Sequence, residues 1–236
     1  TVDGLNNLNQ AQQQALKDQV NAAPTRTDVA QIVQNATQLD QEMERLNQAV
    51  TQAETDKAQP NYTEASTDKQ DALNQAIEAA KAITNIPNGS NATKQQVEQA
   101  INQIQQTSND LDGNQRVNDA KTQAKQTIDQ LQHLNDDQKA TAKQNVEQAT
   151  QLQPIAQIVE QTNQLDQAMN ALKQAINNQP NVKNTVDYTQ ADTDKQQAYD
   201  NAVNQSQQII DGNPTTVLTV NEVTQALSNL NNAKDD

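Results

Sequence analysis

The chain has 236 residues, a formal net charge of −14, 33% hydrophobic and 1% aromatic residues, and no cysteine, tryptophan or phenylalanine. Those figures exclude a large aromatic core and any disulfide or thiol chemistry, and they argue against nucleic acid or anionic lipid, since Lys and Arg total 16 without clustering. Roughly three residues in ten are Asn or Gln, so the apolar material suits thin helices in close contact rather than one broad core.

In chain order, the first predicted helix covers 9–22 and the second 27–57, where Leu39, Met43, Leu46 and Val50 form one amphipathic stripe. Pro60 interrupts the pattern. A third helix, 66–85, carries Ala72, Ala76, Ala79 or Ala80, and Ile83, with Thr67-x-x-Gln70 as a candidate capping box. After the Pro87-Asn88-Gly89 break, Thr93-x-x-Gln96 opens a helix predicted over 93–131 with a kink near Asp112-Gly113. Its stripe is Val97, Ile101, Ile104, Ser108 and Leu111, and its full length would be about 58 Å.

Asn135-Asp136-Asp137 supplies short acceptors ahead of a helix over 136–149, and 154–179 follows up to Pro180. The last two helices are 192–210, with Thr193-x-x-Gln196 at its start, and 220–234, opened by Thr219-x-x-Glu222. Two connections of about ten residues remain, around Pro60 and Asn184. No segment alternates as a strand does. The fold class read from this pattern is all-α, an elongated rod of alternating three-helix bundles joined by long shared helices. The Pro and Gly breaks weigh against one continuous coiled coil, and the periodic apolar residues weigh against disorder.

A shift of 126 positions aligns the chain with itself without a gap, with about one position in three identical. Leu5 and Leu8 fall on Leu131 and Leu134, Ala30-Gln-Ile-Val33 on Ala156-Gln-Ile-Val159, and Thr67-Asp-Lys-Gln70 on Thr193-Asp-Lys-Gln196. Asp236 matches Asp110, and together with the start at Thr1 this reads as a piece of a longer chain whose second copy lacks its last stretch.

Candidate chemistry is sparse. His133 is the one histidine, its counterpart is Asn7, and it has no second histidine or cysteine with which to hold a metal. Asp40 and Asp166 recur, as do Asp68 and Asp194, and their positions beside helical stripes and caps favour structural roles over acid–base catalysis. Tyr62 and Tyr188 recur before a threonine, where they either meet a partner or plug the end of a bundle poor in other aromatics, the second being favoured. Asp110-Leu-Asp-Gly113 lacks the spacing of a calcium loop, and the sequons at Asn35 and Asn91 are expected by chance in such a composition. Catalytic, cofactor-binding and metal residues are therefore read as none, and partner-binding residues are unassigned.

Several segments resemble a known family: Leu111-Asp-Gly-x-x-x-Val117-x-x-Ala120-Lys, the Leu131-x-x-Leu134-Asn pair, the Ala-Gln-Ile-Val blocks and Tyr-Thr-x-Ala-x-Thr-Asp-Lys. With the period they are similar to the tandem repeats of the Ebh family, the giant staphylococcal cell-wall proteins called extracellular matrix-binding protein homologues. The resemblance implies a partial GA-like bundle at 1–39, a FIVAR-like three-helix bundle at 40–110, a GA-like bundle at 111–165 and a FIVAR-like bundle at 166–236. It also implies an extracellular location on the bacterial cell wall, attached through regions outside this segment, and a non-enzymatic adhesin role. The expected function is a stiff stalk or spacer that contacts host extracellular matrix, the chain itself being a monomer. The alternative is a binding module for fibronectin or serum albumin acting through avidity. The albumin activity of some GA modules finds no matching apolar face on 136–149, which is rich in Gln and Ala.

Overall fold

The computed structural model describes residues 2–235, all α-helix, turns and loops with no strand among them. Thr1 and Asp236, which carry the reading of a cut piece, lie outside the described residues. After a single 3-10 turn at Val2–Gly4 come α1 (Gln10–Ala22), α2 (Arg26–Asp56), α3 (Pro60–Thr63), α4 (Thr67–Thr84), α5 (Lys94–Asn109) and α6 (Gly113–Gln130). The chain continues with α7 (Asp136–Gln148), α8 (Leu152–Asn177), α9 (Gln179–Lys183), α10 (Val186–Gln190), α11 (Thr193–Asp211) and α12 (Val220–Asp235). It divides into two compact units, the first ending at Arg116 and the second beginning at Val117.

In unit 1 the C-terminal half of α2 packs with α4 and α5 as a three-helix bundle. Leu39, Met43 and Leu46 of α2 face Leu73 and Ile77 of α4 and Val97, Ile101 and Ile104 of α5, all of them buried. Each such side chain, fully withdrawn from water, contributes roughly 1.5–3 kcal/mol. Ala76 and Ala80 are also buried, which lets α4 approach its neighbours closely enough for a core without large aromatics. The same core continues through Leu8 and Leu16 into α1 and the N-terminal half of α2.

Unit 2 repeats the plan with smaller separate clusters. Val117, Ala124 and Ile128 of α6 meet Ala142 and Val146 of α7 and Ile155 of α8. Farther along α8, Leu165, Met169 and Leu172 pack with Val223 of α12, and Tyr199, Ala202 and Val203 of α11 close on Leu230. The long helix of this copy is shorter because Pro180 stands where α2 has Glu54. Proline withholds a backbone N–H and crowds the preceding turn, so α8 stops at Asn177 and α9 starts afresh.

Several sequence expectations need correction. The helix over 93–131 is two helices separated by Asp110–Asp112, a complete break rather than a kink. The stretches around Pro60 and Asn184 hold the short helices α3, α9 and α10. Thr67 and Thr193 are first helical residues rather than caps: Ser66 and Asp192 hold the N-cap positions, and neither makes a side-chain cap bond. The box at Thr93 forms as its spacing requires; Asn135 caps α7 as expected and also closes a box with Gln138, and Asn9 with Gln12 makes a third. At Thr219 only half a box forms: its hydroxyl accepts the Glu222 N–H at 3.3 Å and donates to the Glu222 carboxylate at 2.5 Å.

Candidate functional site

Four of the seven buried polar residues among those described, Asn9, Gln12, Gln138 and Asp166, gather where one bundle hands over to the next. Asn9 and Gln12 at the start of α1 are both fully buried. Their side chains close a reciprocal capping box at 2.9 and 3.1 Å, and their remaining donors cross to the last turn of α4 and to the α4–α5 loop. Asn9 Nδ2 donates to the carbonyls of Ile83 at 2.9 Å and Ser90 at 2.7 Å, and Gln12 Nε2 donates to Ala92 O at 2.9 Å. The loop answers with Ile86 O, which accepts the Gln10 N–H at 2.9 Å. Gly89 permits this approach, because a Cβ there would lie 2.6 Å from Asn9 Nδ2 and 2.5 Å from the backbone oxygens of Ile83 and Asn85.

The equivalent handover in unit 2 uses Asn135 and Gln138, which form the same box. Asn135 Nδ2 donates to Ile210 O at 3.3 Å and Gln138 Nε2 to Val217 O at 2.7 Å. Here Gly212, at φ 67°, ends α11 in the left-handed region that favours glycine and lies under Asn135.

The repeated acid of the long helix completes each handover. Asp40 accepts the backbone N–H of Asn7 at 2.9 Å and its side-chain amide at 3.0 Å. Asp166 accepts the backbone N–H groups of His133 at 2.7 Å and Leu134 at 3.2 Å, and His133 Nδ1 lies 2.9 Å from its second oxygen. His133 thus sits where Asn7 sits and does the same task. Asp68 and Asp194 fall in the first turns of α4 and α11, as expected for acids favoured by the helix dipole.

A third device occupies the break between α5 and α6. The Asp112 carbonyl accepts the first intrahelical bond, from Arg116, while its carboxylate takes the Ser66 N–H at 2.8 Å and the Ser66 hydroxyl at 2.9 Å. The Ser66 N–H, with its hydroxyl alongside, holds the Asp112 carboxyl below the usual carboxylate range. Asn114 N donates to Asn61 Oδ1, Arg116 to Glu64 O, and Lys69 Nζ to Asp110 O. Gly113 lies so close to α3 that a Cβ would be 2.5 Å from the backbone oxygens of Pro60 and Asn61.

Both tyrosines of the repeat are half-buried and held from two sides. Tyr62 donates to Asn74 Oδ1 at 3.0 Å under Lys57, and Tyr188 donates to Asp200 at 3.1 Å under Lys183. Lys183 also pairs with Asp200 at 2.7 Å, which raises its ammonium above the ordinary lysine value. Gln70 and Gln196, read as box partners, instead donate to the carbonyls of Tyr62 and Tyr188. Among the described residues no three acids or histidines gather as metal ligands, and no helix is long and apolar enough to cross a membrane. Sequence reasoning missed the interhelical roles of Asn9, Gln12, Asn135, Gln138 and Asp112. The only signal for the first four was an Asn-x-x-Gln spacing immersed in a chain full of Asn and Gln.

The FIVAR domain family model matches residues 42–112 and 168–236, and the GA module model matches 1–42 and 114–168. Over 99% of its length the chain is 59% identical to the extracellular matrix-binding protein ebh of Staphylococcus aureus strain MRSA252, and 58% identical to EbhA of strain Newman. It spans only 2% of the first relative and 7% of the second. The crystal structure of an EbhA domain from Staphylococcus aureus is similar at a TM-score of 0.76 and 29% identity, over 81% of this chain and 76% of that one. A structure from work on Embp-mediated adherence of Staphylococcus epidermidis to fibronectin is similar at 0.50 and 26% identity, over 51% of this chain and 96% of that one. With FIVAR matches over more than half its residues and GA matches between them, the chain belongs to the FIVAR domain family, in the GA–FIVAR repeat arrangement of the Ebh proteins.

Proposed function

We propose that the chain is a stiff spacer segment of a bacterial surface adhesin, monomeric and non-enzymatic, displayed outside the cell on the wall. One observation carries this reading. Helices α2 and α8 each run unbroken from a GA-matching segment into a FIVAR-matching one, and buried caps lock the handover. A flexible linker stores length as entropy, whereas a shared helix transmits direction. The bound groups at the joints are backbone carbonyls and amides of the chain itself, which serve geometry rather than catalysis. Small-angle scattering tests the spacer role. A compact globule of this length would have a radius of gyration of about 18 Å. The spacer reading requires a value well above that, and a value close to it contradicts the reading.

Contact with host matrix is the second reading, supported by the naming of the ebh and EbhA relatives as extracellular matrix-binding proteins and by the fibronectin adherence of Embp. Weak sites on many repeats would add through avidity. Retention of tandem copies of this chain on immobilised fibronectin or serum albumin, compared with a single copy, measures it. Equal background retention of both would remove the reading.

A further inference from the structure

The chain has four glycines, and each follows an Asp or Asn: Asp3-Gly4, Asn88-Gly89, Asp112-Gly113 and Asp211-Gly212. Such a pair favours one covalent reaction, because glycine has no side chain to keep its backbone nitrogen from the carbonyl of the preceding side chain. Three of the four side chains are engaged elsewhere. Asp3 pairs with Lys17 at 2.6 Å, Asp112 takes Ser66, and Asp211 accepts Gln207 Nε2 at 2.9 Å. Asn88 is exposed, and its bond to Asn85 Oδ1 at 3.0 Å uses the backbone N–H, which leaves its side-chain amide without a partner among the described residues. It is also the one asparagine in the chain followed by glycine, and an amide loses ammonia more readily than a carboxylate loses water.

The nucleophile, by contrast, is guarded. Gly89 is buried against the start of α1, its N–H donates to Asn85 O at 2.7 Å, and Asn9 Nδ2 crosses it to reach Ile83 O and Ser90 O. With its N–H so bound, Gly89 N cannot give up a proton until the turn opens, and the bonds of Asn9 and Gln12 oppose that opening. The carbonyls that hold the joint bracket this pair. Ile83 and Ile86 come before Asn88, Ser90 and Ala92 after Gly89, so a change of backbone length between them moves the two sets apart. The second copy has Pro214 and Thr215 at these two positions, and its Asn213 is followed by a proline with no N–H to lose.

We propose that Asn88-Gly89 is a self-modification site that turns an opening of the first joint into a permanent loosening. Once the turn opens, Gly89 N loses its proton to water and bonds to Asn88 Cγ, the Cγ–Nδ2 bond breaks, and ammonia leaves behind a cyclic imide. Water then opens the ring at one of its two carbonyls. Opening at Cγ leaves aspartate, whereas opening at the backbone carbonyl leaves isoaspartate, in which the chain runs through the side-chain carbon and is one methylene longer. Both products add a negative charge, and the longer one takes Ser90 and Ala92 out of register with Asn9 and Gln12. Closing the joint again does not undo the change. This goes beyond the spacer role and does not depend on it, since every group involved lies in unit 1.

The full chain, its Asn9→Ser variant and its Asn88→Gln variant, incubated in mildly alkaline buffer and then digested for mass mapping, test it. In the parent chain a gain of about one dalton is expected at Asn88 before any other asparagine, with isoaspartate detected there by an isoaspartyl methyltransferase. Asn9→Ser keeps a cap for α1 but withdraws the donors to Ile83 and Ser90, and should convert about tenfold faster while its helical content by circular dichroism is unchanged. After incubation the Gln10 amide, which is bound to Ile86 O, should lose exchange protection in the parent chain and keep it in Asn88→Gln. The Leu134 amide of the second joint should keep it in both. The proposal is overturned if another asparagine converts first, if Asn9→Ser converts no faster, or if the converted chain keeps its Gln10 protection.

Discussion

Asp166 holds His133 by two bonds, at 2.7 Å to the backbone N–H and 2.9 Å to Nδ1, as Asp40 holds the backbone and side chain of Asn7. The carboxylate is the fixed partner and the held residue is interchangeable. Asp166→Ala would strand the N–H groups of His133 and Leu134 and destabilise unit 2 by about 1–3 kcal/mol. His133→Asn would change stability by less than about 0.5 kcal/mol. Urea unfolding of both variants checks the contrast.

Gln12 spends its amide on two elements at once, closing the cap of α1 and binding Ala92 O. Gln12→Met keeps the volume but leaves the buried Ala92 carbonyl and the Asn9 N–H without those bonds. A loss of about 2 kcal/mol is expected, with faster hydrogen exchange at the Asn9 amide.

Gly113→Ala places a methyl against the backbone of α3, which cannot move aside as a flexible side chain could. The bonds from Ser66 to Asp112 and from Asn114 to Asn61 would lengthen or break. The expected cost is about 1–3 kcal/mol, with lost exchange protection at the Ser66 and Asn114 amides. Asn114→Ala serves as the control and leaves the Ser66 amide protected.

The same break has a pH signature. The Asp112 carboxyl titrates lower in the folded chain than its ordinary value, so its bond to Ser66 favours folding above about pH 4 and fades as pH falls through the lowered value. Protection of the Ser66 amide should therefore drop between about pH 4 and more acidic conditions. In Asp112→Ala this dependence should vanish, which exchange measured across the acid range would show.

Ser206 is buried and its hydroxyl has no hydrogen-bond partner, while its counterpart Ala80 fills the same place in the first copy without a polar atom. Ser206→Ala should raise the stability of unit 2 by about 1 kcal/mol. Thermal unfolding of the variant against the parent chain measures it.

The core faces of α2 and α5 were legible because Leu, Ile, Val and Met are rare enough here to mark a face, whereas on α4 the alanine stripe read from the sequence takes in Ala72, which is exposed, and passes over the buried Leu73 and Ile77. The steps of Leu39, Met43 and Leu46 and of Val97, Ile101 and Ile104 name residues that are all buried. The break at Asp110–Asp112 was hidden because Leu111 continues the apolar stripe of α5 in register, while the reason for stopping lies on α3 and α4, about fifty positions away in sequence. The joints were illegible for a related reason. Nothing local separates the Gln that crosses a loop from the Gln that faces water, and only the partner carbonyl of Ala92 or Val217 makes the distinction. The 126-residue period did carry that information indirectly, since Asn9, Gln12 and Asp40 all return unchanged in the second copy.

Sharing α2 between two modules has a consequence for insertions and deletions. Each residue added to an α-helix turns everything beyond it by about 100°. One residue inserted between Asp40 and Met43 would keep Asp40 on its loop but rotate Met43 and Leu46 out of the FIVAR core. Length there can change only in steps that restore the helical phase, near four, seven or eleven residues. No such phase is carried across Asp110–Asp112, where the helix stops and starts again. Tolerated changes of repeat length should therefore collect at that break and be absent from the middle of the long helices.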